Sequence, residues 1–281
     1  MENILFLTDL DGTLLSTDKK IPQKSEKILN SLIEKGVKFS ISTARTPATM
    51  EGILKNLDLR LPVCAMNGAA IYDTKAEKYI HYHKMEEASV YGLIALCKKH
   101  RINPFIHMIK NNHLYVSFES LDNEAAEDFH RERKNLRLKT YVNAPYSPEL
   151  GDAVYFTILE KEEKARAVFE DAAASPFSES VNLNFYRDVY NPGYYYLEIC
   201  HKKTSKETGL KLLKEYAKAD LVYAFGDNTN DLPMLAAADK SFAVENAVDG
   251  VKAFCSEVIG RNTEGSVAEK IKTIYERNLK L

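Results

Sequence analysis

Two carboxylates stand together near the start of the chain, in the stretch Asp9-Leu10-Asp11-Gly12-Thr13. They follow the apolar run Ile4-Leu5-Phe6-Leu7, which is typical of a buried strand in a parallel sheet. Open parallel sheets bind ligands at the carboxyl ends of their strands, so we expect both acids at such an end. Along an extended chain they would point the same way and need a shared proton or cation. The structural alternative is a helix N-cap with Asp11-Gly12 as a turn.

A second pair of acids follows another apolar run. The segment Leu221-Val222-Tyr223-Ala224-Phe225 reads as a buried parallel strand, and Gly226-Asp227-Asn228-Thr229-Asn230-Asp231 ends it. This spacing places Asp227 and Asp231 at the carboxyl end of a strand as well. A capped turn is the structural alternative, and Asp231 at the start of the next helix can serve both purposes.

Thr43 and Lys206 supply a hydroxyl and an amine of the kind that binds phosphate. Thr43 follows the predicted strand from Val37 to Ser42, and its hydroxyl can donate to a phosphate oxygen. It can equally be an N-cap, because a helix is predicted after Thr46-Pro47. Lys206 falls in the first turn of a predicted helix, where a lone lysine is ordinarily a solvated surface charge.

Together these residues indicate phosphoryl transfer. Acids gathered in one crevice need a hard cation, and oxygen ligands without a histidine or cysteine cluster favour Mg²⁺ over zinc. Thr43 and Lys206 would orient the phosphoryl oxygens, with backbone N–H groups around Gly12 completing the cradle. One carboxylate is then free to attack phosphorus, and Asp11 is the obvious acid for the leaving oxygen.

Composition narrows the class of partner. The chain has 281 residues, and Lys plus Arg (38) nearly balances Asp plus Glu (40), so no strong field favours nucleic acid or an anionic membrane. A small molecule is the expected partner. We expect a cytoplasmic protein, because no signal-like start and no apolar run near the ~18 residues of a membrane span occur. The isolated cysteines are expected to be reduced core thiols: Cys64, Cys97, Cys200 and Cys255.

The order of strands and helices predicts an α/β protein with a Rossmann-like parallel-sheet core and an inserted α+β domain. The core is expected at residues 1–82 and 201–281, and the insert, on short hinges like many lids, at 83–200. The candidate strands of the insert are residues 103–108, 114–118, 154–159, 182–187 and 194–200, and its candidate helices include 87–99 and 161–174.

The four motifs, in this order, resemble those of the haloacid dehalogenase superfamily. They are Asp9-Leu10-Asp11-Gly12-Thr13, Thr43, Lys206 and the segment from Gly226 to Asp231. Further features are similar to its Cof-type sugar-phosphatase branch: Asn67-Gly68-Ala69, the large insert between the second and third motifs, and Asn246-Ala247. The resemblance covers both core segments strongly and the insert by position only.

The resemblance implies a role for each motif residue. Asp9 would be the nucleophile and Asp11 the general acid and base, while Thr43 and Lys206 would bind phosphate. Magnesium would be held by Asp9, the backbone carbonyl of Asp11, and Asp227, with Asp231 supporting from behind. Asn230 and Asn246 would make phosphate or loop contacts.

Three positions depart from the branch pattern. Ala44 stands where a Gly is common between Thr and Arg, and Glu207 follows Lys206 in place of a Gly. Glu245 replaces a Gly before Asn246, which would disfavour highly anionic substrates such as bisphosphates if it faces the phosphate. It can equally point away.

The expected function is Mg²⁺-dependent hydrolysis of small phosphomonoesters through an aspartyl phosphate. The alternatives are a phosphomutase of the same superfamily and a phosphoacceptor regulator, although a receiver domain is smaller and lacks an insert. Candidate substrates are sugar phosphates, pyridoxal phosphate and flavin mononucleotide. The tyrosine-rich stretch from Tyr190 to Tyr196 either presents rings to the substrate or covers a sheet face. Oligomeric state is not determined by these patterns.

Overall fold

A computed structural model describes residues 2–188 and 191–279 of the chain. These residues form two compact units, one running up to His81 and resuming at Ser205, the other spanning Tyr82–Thr204. The predicted mixed α/β class with a parallel core sheet is confirmed. The predicted role of the insert as a lid stays a prediction.

The elements are numbered in chain order. Before the insert they are β1 (Ile4–Thr8), α1 (Gln23–Glu34), β2 (Lys38–Ile41), α2 (Pro47–Leu54), β3 (Val63–Ala65), β4 (Ala70–Asp73) and β5 (Lys78–Tyr82). Those of the insert are α3 (Glu87–Lys99), β6 (Phe105–Lys110), β7 (His113–Phe118), α4 (Glu124–Arg133), β8 (Lys139–Asn143), β9 (Asp152–Lys161), α5 (Glu162–Ala173), β10 (Val181–Arg187) and β11 (Tyr194–His201). After it come α6 (Lys206–Ala217), β12 (Leu221–Gly226), α7 (Leu232–Ala237), β13 (Lys240–Val244), α8 (Asp249–Phe254), β14 (Glu257–Ile259) and α9 (Ser266–Asn278).

The core sheet is parallel throughout, in the order β14-β13-β12-β1-β2. All five residues of β1 are buried, as expected for a strand that helices cover on both faces. The register pairs Thr8 with Phe225 on one side and with Ile41 on the other. The residues that follow these three positions therefore emerge at the same edge of the sheet.

The insert is built on a six-stranded sheet in the order β10-β11-β9-β6-β7-β8. Its pairs are antiparallel except β7 with β8, which run parallel. Helices α3 and α5 pack on one face through residues such as Leu93 and Val168, which form one apolar cluster with Phe156 and Leu197. A separate three-stranded sheet has the order β3-β4-β5, with β3 and β4 antiparallel.

Four elements have no strong sequence signal and were not predicted: α4, β8, α8 and β14. Helix α4 buries only Ala125 and Ala126, so its sequence has no apolar stripe. Strand β14 is a three-residue edge strand whose residues are mostly exposed. Strand β9 extends beyond the predicted 154–159, because backbone pairing continues past the apolar residues.

The cysteines are all free thiols, as predicted, although Cys255 is only partly buried. No helix among the described residues is both long and apolar enough to cross a membrane. Of the tyrosine-rich stretch, Tyr190 lies outside the described residues.

Gly68 provides a test of how tightly the core is assembled. Its φ is +97°, and a Cβ there would overlap the backbone carbonyl of Ser205, whereas Gly36, with φ +91°, has open space around it. We expect Gly36→Ala to lower the free energy of unfolding by about 1 kcal/mol through its left-handed backbone alone. Gly68→Ala should cost about 3 kcal/mol, because the overlap adds to the same strain. Urea denaturation followed by circular dichroism measures both. Equal losses would mean that the close approach to Ser205 contributes nothing.

Candidate active site

Adjacent strand ends bring the first two acids together. Asp9 directly follows β1, and its backbone N–H donates to the carbonyl of Phe225 at 3.0 Å. Asp227 follows Gly226, the last residue of the neighbouring strand β12. Asp9 is 6% exposed, so its carboxylate is almost completely removed from water.

Lys206 lies between two carboxylates. Its Nζ donates to Asp9 Oδ1 at 2.5 Å and to Asp231 Oδ1 at 2.6 Å, and its side chain is only 1% exposed. Ser205 caps α6, because its hydroxyl accepts the backbone N–H of Thr208 at 3.0 Å, and this places Lys206 as the first residue of the helix. Because its side chain is buried, Lys206 is not the solvated surface charge that a lone lysine ordinarily is.

Three carboxylates lie close together around the ammonium of Lys206. Oxygens of Asp9, Asp227 and Asp231 lie within 4.8 Å of one another. Burial raises the pKa of Asp9 well above its usual range, against the attraction of Lys206 and with added repulsion from Asp231 and Asp227. Burial, followed by repulsion from Asp231, also raises the pKa of Asp227 to about 6.

The three carboxylates carry more negative charge than the single ammonium of Lys206 can neutralise. Burial by itself lowers the pKa of Lys206, but Asp231 and Asp9 more than reverse this, so the amine stays charged. Three carboxylates face one ammonium, and repulsion among them adds to the effect of burial in raising the pKa of Asp9 and Asp227. A donor set made only of carboxylate oxygens suits a hard ion, so these residues fit Mg²⁺.

Both oxygens of Asp231 are already engaged. Oδ2 accepts the backbone N–H groups of Asp227 at 3.0 Å and Asn228 at 3.1 Å, while Oδ1 accepts Lys206. Asp231 thus secures the loop after β12 and the lysine at once. This is consistent with the supporting position that the family resemblance implied, rather than with direct metal binding.

The turn at Gly12 brings backbone against Asp227. Gly12 has a φ of +81°, and a Cβ there would overlap the Asp227 carboxylate, so no other residue fits without displacement. The hydroxyl of Thr13 donates to Asp227 Oδ1 at 2.8 Å. The sequence pattern predicts no separate role for Thr13, and this hydrogen bond orients the carboxylate of Asp227.

Thr43 is completely buried at the same sheet edge. Its backbone N–H donates to the carbonyl of Cys64 at 2.9 Å, and its hydroxyl accepts the backbone N–H of Arg45 at 3.1 Å. The residue that precedes α2 is Thr46, whose backbone N–H donates to the hydroxyl of Thr49 at 3.0 Å. The N-cap alternative therefore applies to Thr46, and the phosphate role of Thr43 stays a prediction.

Asp11 lies apart from the three clustered acids. Its carboxylate receives two hydrogen bonds from Arg45, from Nε at 2.7 Å and from Nη2 at 2.6 Å, and its side chain is 49% exposed. The structure differs here from the expectation that Asp9 and Asp11 point the same way. The reason is that β1 ends at Thr8 and the chain enters a turn at Leu10, between the two acids, instead of continuing extended. Arg45, two residues after Thr43, is the one sequence feature that could have indicated the Asp11–Arg45 ion pair, and no role was predicted for it.

Asn246 fastens the Gly12 turn. Its amide donates to the Gly12 carbonyl at 2.8 Å, and its oxygen accepts the backbone N–H of Asn262 at 3.0 Å. These contacts favour the loop role over a phosphate contact. Asn230 is exposed, with its amide nitrogen 3.5 Å from the oxygen of Asn67, and its phosphate role stays a prediction.

Glu245 forms an ion pair with Arg261. Its carboxylate is 3.4 Å from Arg261 Nε, and both side chains are more than half exposed. The guanidinium therefore offsets part of the negative charge that distinguishes this chain from the branch pattern.

Comparisons with known proteins agree with this geometry. The family model of the haloacid dehalogenase-like hydrolases matches residues 6–271. A putative phosphatase of Buchnera aphidicola (subsp. Schizaphis graminum) is 30% identical, over 98% of this chain and 97% of that protein. The 5-amino-6-(5-phospho-D-ribitylamino)uracil phosphatase of Bacillus subtilis is 23% identical, over 96% and 97%.

A solved structure shows the same fold. It is that of a phosphatase of the haloalkanoate enzyme superfamily from Bacteroides thetaiotaomicron, with a TM-score of 0.75 at 21% identity, covering 97% of this chain and 95% of that one. The family match, the curated relatives and the shared fold thus span nearly the whole chain. With the acids and Lys206 gathered at the predicted strand ends, this chain belongs to the haloacid dehalogenase-like hydrolases.

Proposed function

We propose that this protein is a Mg²⁺-dependent phosphatase that hydrolyses small phosphorylated metabolites through a phosphoaspartate at Asp9. The observation that carries the proposal is the buried Asp9 carboxylate, with one oxygen bound by Lys206 and two further carboxylates beside it. The family's hydrolase function and the phosphatase names of its relatives support it.

Asp9 has one oxygen available for attack. Lys206 engages Oδ1, which leaves Oδ2 to form a bond with phosphorus while the bond to the alcohol oxygen breaks. The leaving oxygen takes a proton from Asp11. In the second half, water attacks the phosphorus of the phosphoaspartate, Asp11 takes the proton of that water, and inorganic phosphate leaves with Asp9 restored.

Asp11 must release Arg45 to perform these transfers. While both of its carboxylate oxygens accept hydrogen bonds from the Arg45 guanidinium, Asp11 has no free oxygen to exchange a proton with the substrate. The pair is partly exposed, at 21% for Arg45 and 49% for Asp11, and exposed pairs stabilise by at most about 1 kcal/mol. Exchanging Arg45 for the substrate therefore costs Asp11 little.

The residues that would hold Mg²⁺ are Asp9, Asp227 and the backbone carbonyl of Asp11, with Asp231 holding the loop. When bound, the ion would neutralise charge on the phosphoryl oxygens. Thr13 keeps Asp227 oriented toward this position through the 2.8 Å hydrogen bond. Lys206 opposes the effect of burial that raises the pKa of Asp9, and we propose that its amine also binds the phosphoryl oxygens.

We propose small phosphate esters of sugars, sugar alcohols or similar metabolites as substrates. The Bacillus subtilis relative, by its name, acts on a phosphorylated ribitylamino compound, which is an ester of this kind. Release of inorganic phosphate, measured across a panel of phosphorylated metabolites with and without Mg²⁺, tests the proposal. Transfer to a second sugar without phosphate release would instead indicate a phosphomutase.

Asp9→Asn tests the covalent mechanism. The amide keeps the shape of the carboxylate but does not attack phosphorus, so essentially all turnover should be lost, with an unchanged circular dichroism spectrum. The matched variant is Asp11→Asn, which should retain the nucleophile and slow turnover by roughly 10²–10⁴-fold. With an activated ester, acid-quenched mass spectrometry should detect phosphoenzyme in Asp11→Asn and none in Asp9→Asn. Full activity of Asp9→Asn would overturn the mechanism.

Asp227→Asn tests the metal assignment. The substitution removes a charged ligand from a site with few protein ligands, so the Mg²⁺ concentration for half-maximal activity should rise by about tenfold or more. Ca²⁺ should inhibit the wild-type enzyme, because it takes a larger and looser oxygen shell. Activity that survives exhaustive chelation would refute the assignment.

The pH dependence of the Mg²⁺ requirement follows from the raised pKa of Asp227, about 6. Below this pH a proton occupies the carboxylate, and the ion must displace it. The half-maximal Mg²⁺ concentration should therefore rise as pH falls from 7 to 5, by roughly tenfold per unit well below the pKa. In Asp227→Asn the dependence should be weaker. A requirement that is constant across this range would contradict the competition.

A further inference from the structure

A basic segment leads from the end of α4 into β8 of the insert, and the proposed mechanism does not use it. Residues 131–139 contain five basic side chains and one acid: Arg131, Arg133, Lys134, Arg137 and Lys139 against Glu132. A run of like charges is ordinarily a solvated surface, and Arg131, Lys134 and Arg137 are exposed accordingly. Lys139 is the exception, because it is only 3% exposed at the start of β8.

The amine of Lys139 is buried without the partner that a buried charge requires. Among the described residues, no oxygen accepts a hydrogen bond from its Nζ, and no carboxylate forms an ion pair with it. The Nζ atom lies 5.5 Å from the centre of the Tyr141 ring, two residues further along the same strand. Burial, followed by the positive charge of Arg133, lowers the pKa of Lys139 to about 7, whereas an acid partner would have raised it.

Two further shielded polar atoms lie near this amine. His107 on β6 is 3% exposed, and its Nε2 contacts the hydroxyl of Thr157 at 3.1 Å, but its Nδ1 has no hydrogen-bond partner in the described part of the chain. The hydroxyl of Tyr141 is shielded from water and has no partner there either. Burial, then the positive charges of Lys139 and Arg133, lowers the pKa of His107 well below its usual range. The imidazole is therefore neutral, so Nδ1 can donate a hydrogen bond while Nε2 accepts one from Thr157.

Arg133 forms the side of this group that reaches water, since its side chain is 27% exposed. Its guanidinium packs over the Phe129 ring at 4.3 Å, and Nη1 donates to the Phe129 carbonyl at 3.2 Å and to the Glu132 carboxylate at 2.8 Å. Nε and Nη2 donate to none of residues 2–188 and 191–279, so one edge of the guanidinium is free. We call these four side chains the Lys139 cluster: His107, Arg133, Lys139 and Tyr141.

The strand register adds an apolar side to the Lys139 cluster. Val116 on β7 pairs with His107 of β6 and with Tyr141 of β8, so the three side chains share one face of the sheet. Val116 is completely buried. A ligand that the cluster binds would therefore also contact an apolar surface.

The chemistry of the cluster favours a small carboxylate. All four polar groups are able to donate hydrogen bonds: an ammonium, a guanidinium edge, a phenol and an imidazole N–H. The planar edge of a guanidinium matches both oxygens of a carboxylate, and a carboxylate beside Lys139 would supply the acid partner that the amine lacks. Glu132 does not supply it, because its side chain is 65% exposed and pairs with Nη1 of Arg133 instead.

We propose that the Lys139 cluster is a binding site for a small organic carboxylate of the size of acetate or propionate. The carboxylate accepts hydrogen bonds from the free edge of Arg133 and from the amine of Lys139, and its short apolar tail lies against Val116. Bound there, it joins the end of α4 to β8 and stabilises the insert. Every residue of this site belongs to the insert, so the inference does not rest on the proposed function.

Lys139→Met tests the site, because it removes the buried amine and keeps a long apolar side chain. The matched control is Lys134→Met, which removes the same charge from an exposed position of the same basic segment. The thermal midpoint of each full-length protein is measured by circular dichroism in increasing sodium acetate or sodium propionate. Sodium chloride of the same ionic strength serves as the reference salt, and Mg²⁺ is left out.

We expect the carboxylates to raise the wild-type midpoint in a saturable way, by about 3 °C or more at about 100 times Kd. Lys139→Met should weaken binding by about tenfold or more, because it removes a charge-assisted hydrogen bond, while Lys134→Met should stay within about twofold of wild type. In chloride, Lys139→Met should not lower the midpoint, because the amine that it removes has no partner. Equal responses of the three proteins, or no rise in any, would overturn the proposal.

Saturation-transfer NMR tests binding directly in the folded wild-type protein. The methyl protons of propionate should receive saturation from the protein, whereas propionamide, which has the same tail and no charge, should give a signal about tenfold weaker or less. Propionate should keep its signal with Lys134→Met and lose it with Lys139→Met. A propionamide signal as strong as that of propionate would overturn the carboxylate assignment, and so would a saturable, Lys139-dependent rise in midpoint with sulfate alone.

Discussion

The site depends on the ammonium of Lys206, buried between Asp9 and Asp231. Lys206 and Asp9 are 197 residues apart in sequence, and this contact joins α6, β1 and the loop after β12. Buried ion pairs are weak evidence for stability, but removal of one partner leaves an uncompensated charge and costs about 3–5 kcal/mol. Lys206 thus determines whether the acids can be gathered in one buried place at all.

The three clustered acids outnumber that one amine, and this excess of negative charge indicates a binding function. A core built for stability alone would not place Asp227 against the Gly12 turn, where its pKa rises to about 6. Under the proposed function, a bound cation would offset this excess negative charge. Thr13 and Asn246 hold Asp227 and the Gly12 carbonyl in place by hydrogen bonds.

The sheets of the two units differ in strand direction and in how many of their faces are buried. The parallel core sheet is buried on both faces, so its chemistry can appear only at the strand ends, where Asp9, Thr43 and Asp227 emerge. The sheet of the insert is mostly antiparallel, with helices α3 and α5 on one face.

The sequence by itself determined the fold class and the positions of Asp9 and Asp227, because apolar runs identify buried parallel strands and the polar residues follow where those strands end. The burial of Lys206 at the start of α6 does not follow from any local pattern. It also predicted most elements of the insert, but not α4 or β14, whose few buried residues leave no periodic pattern. Only the tertiary structure decided that Arg45 pairs with Asp11, that Thr46 rather than Thr43 precedes α2, and that Asn246 fastens the Gly12 turn. The physical reason is that these side chains are positioned by sheet register and by the left-handed turn at Gly12, which bring together residues that no local pattern relates.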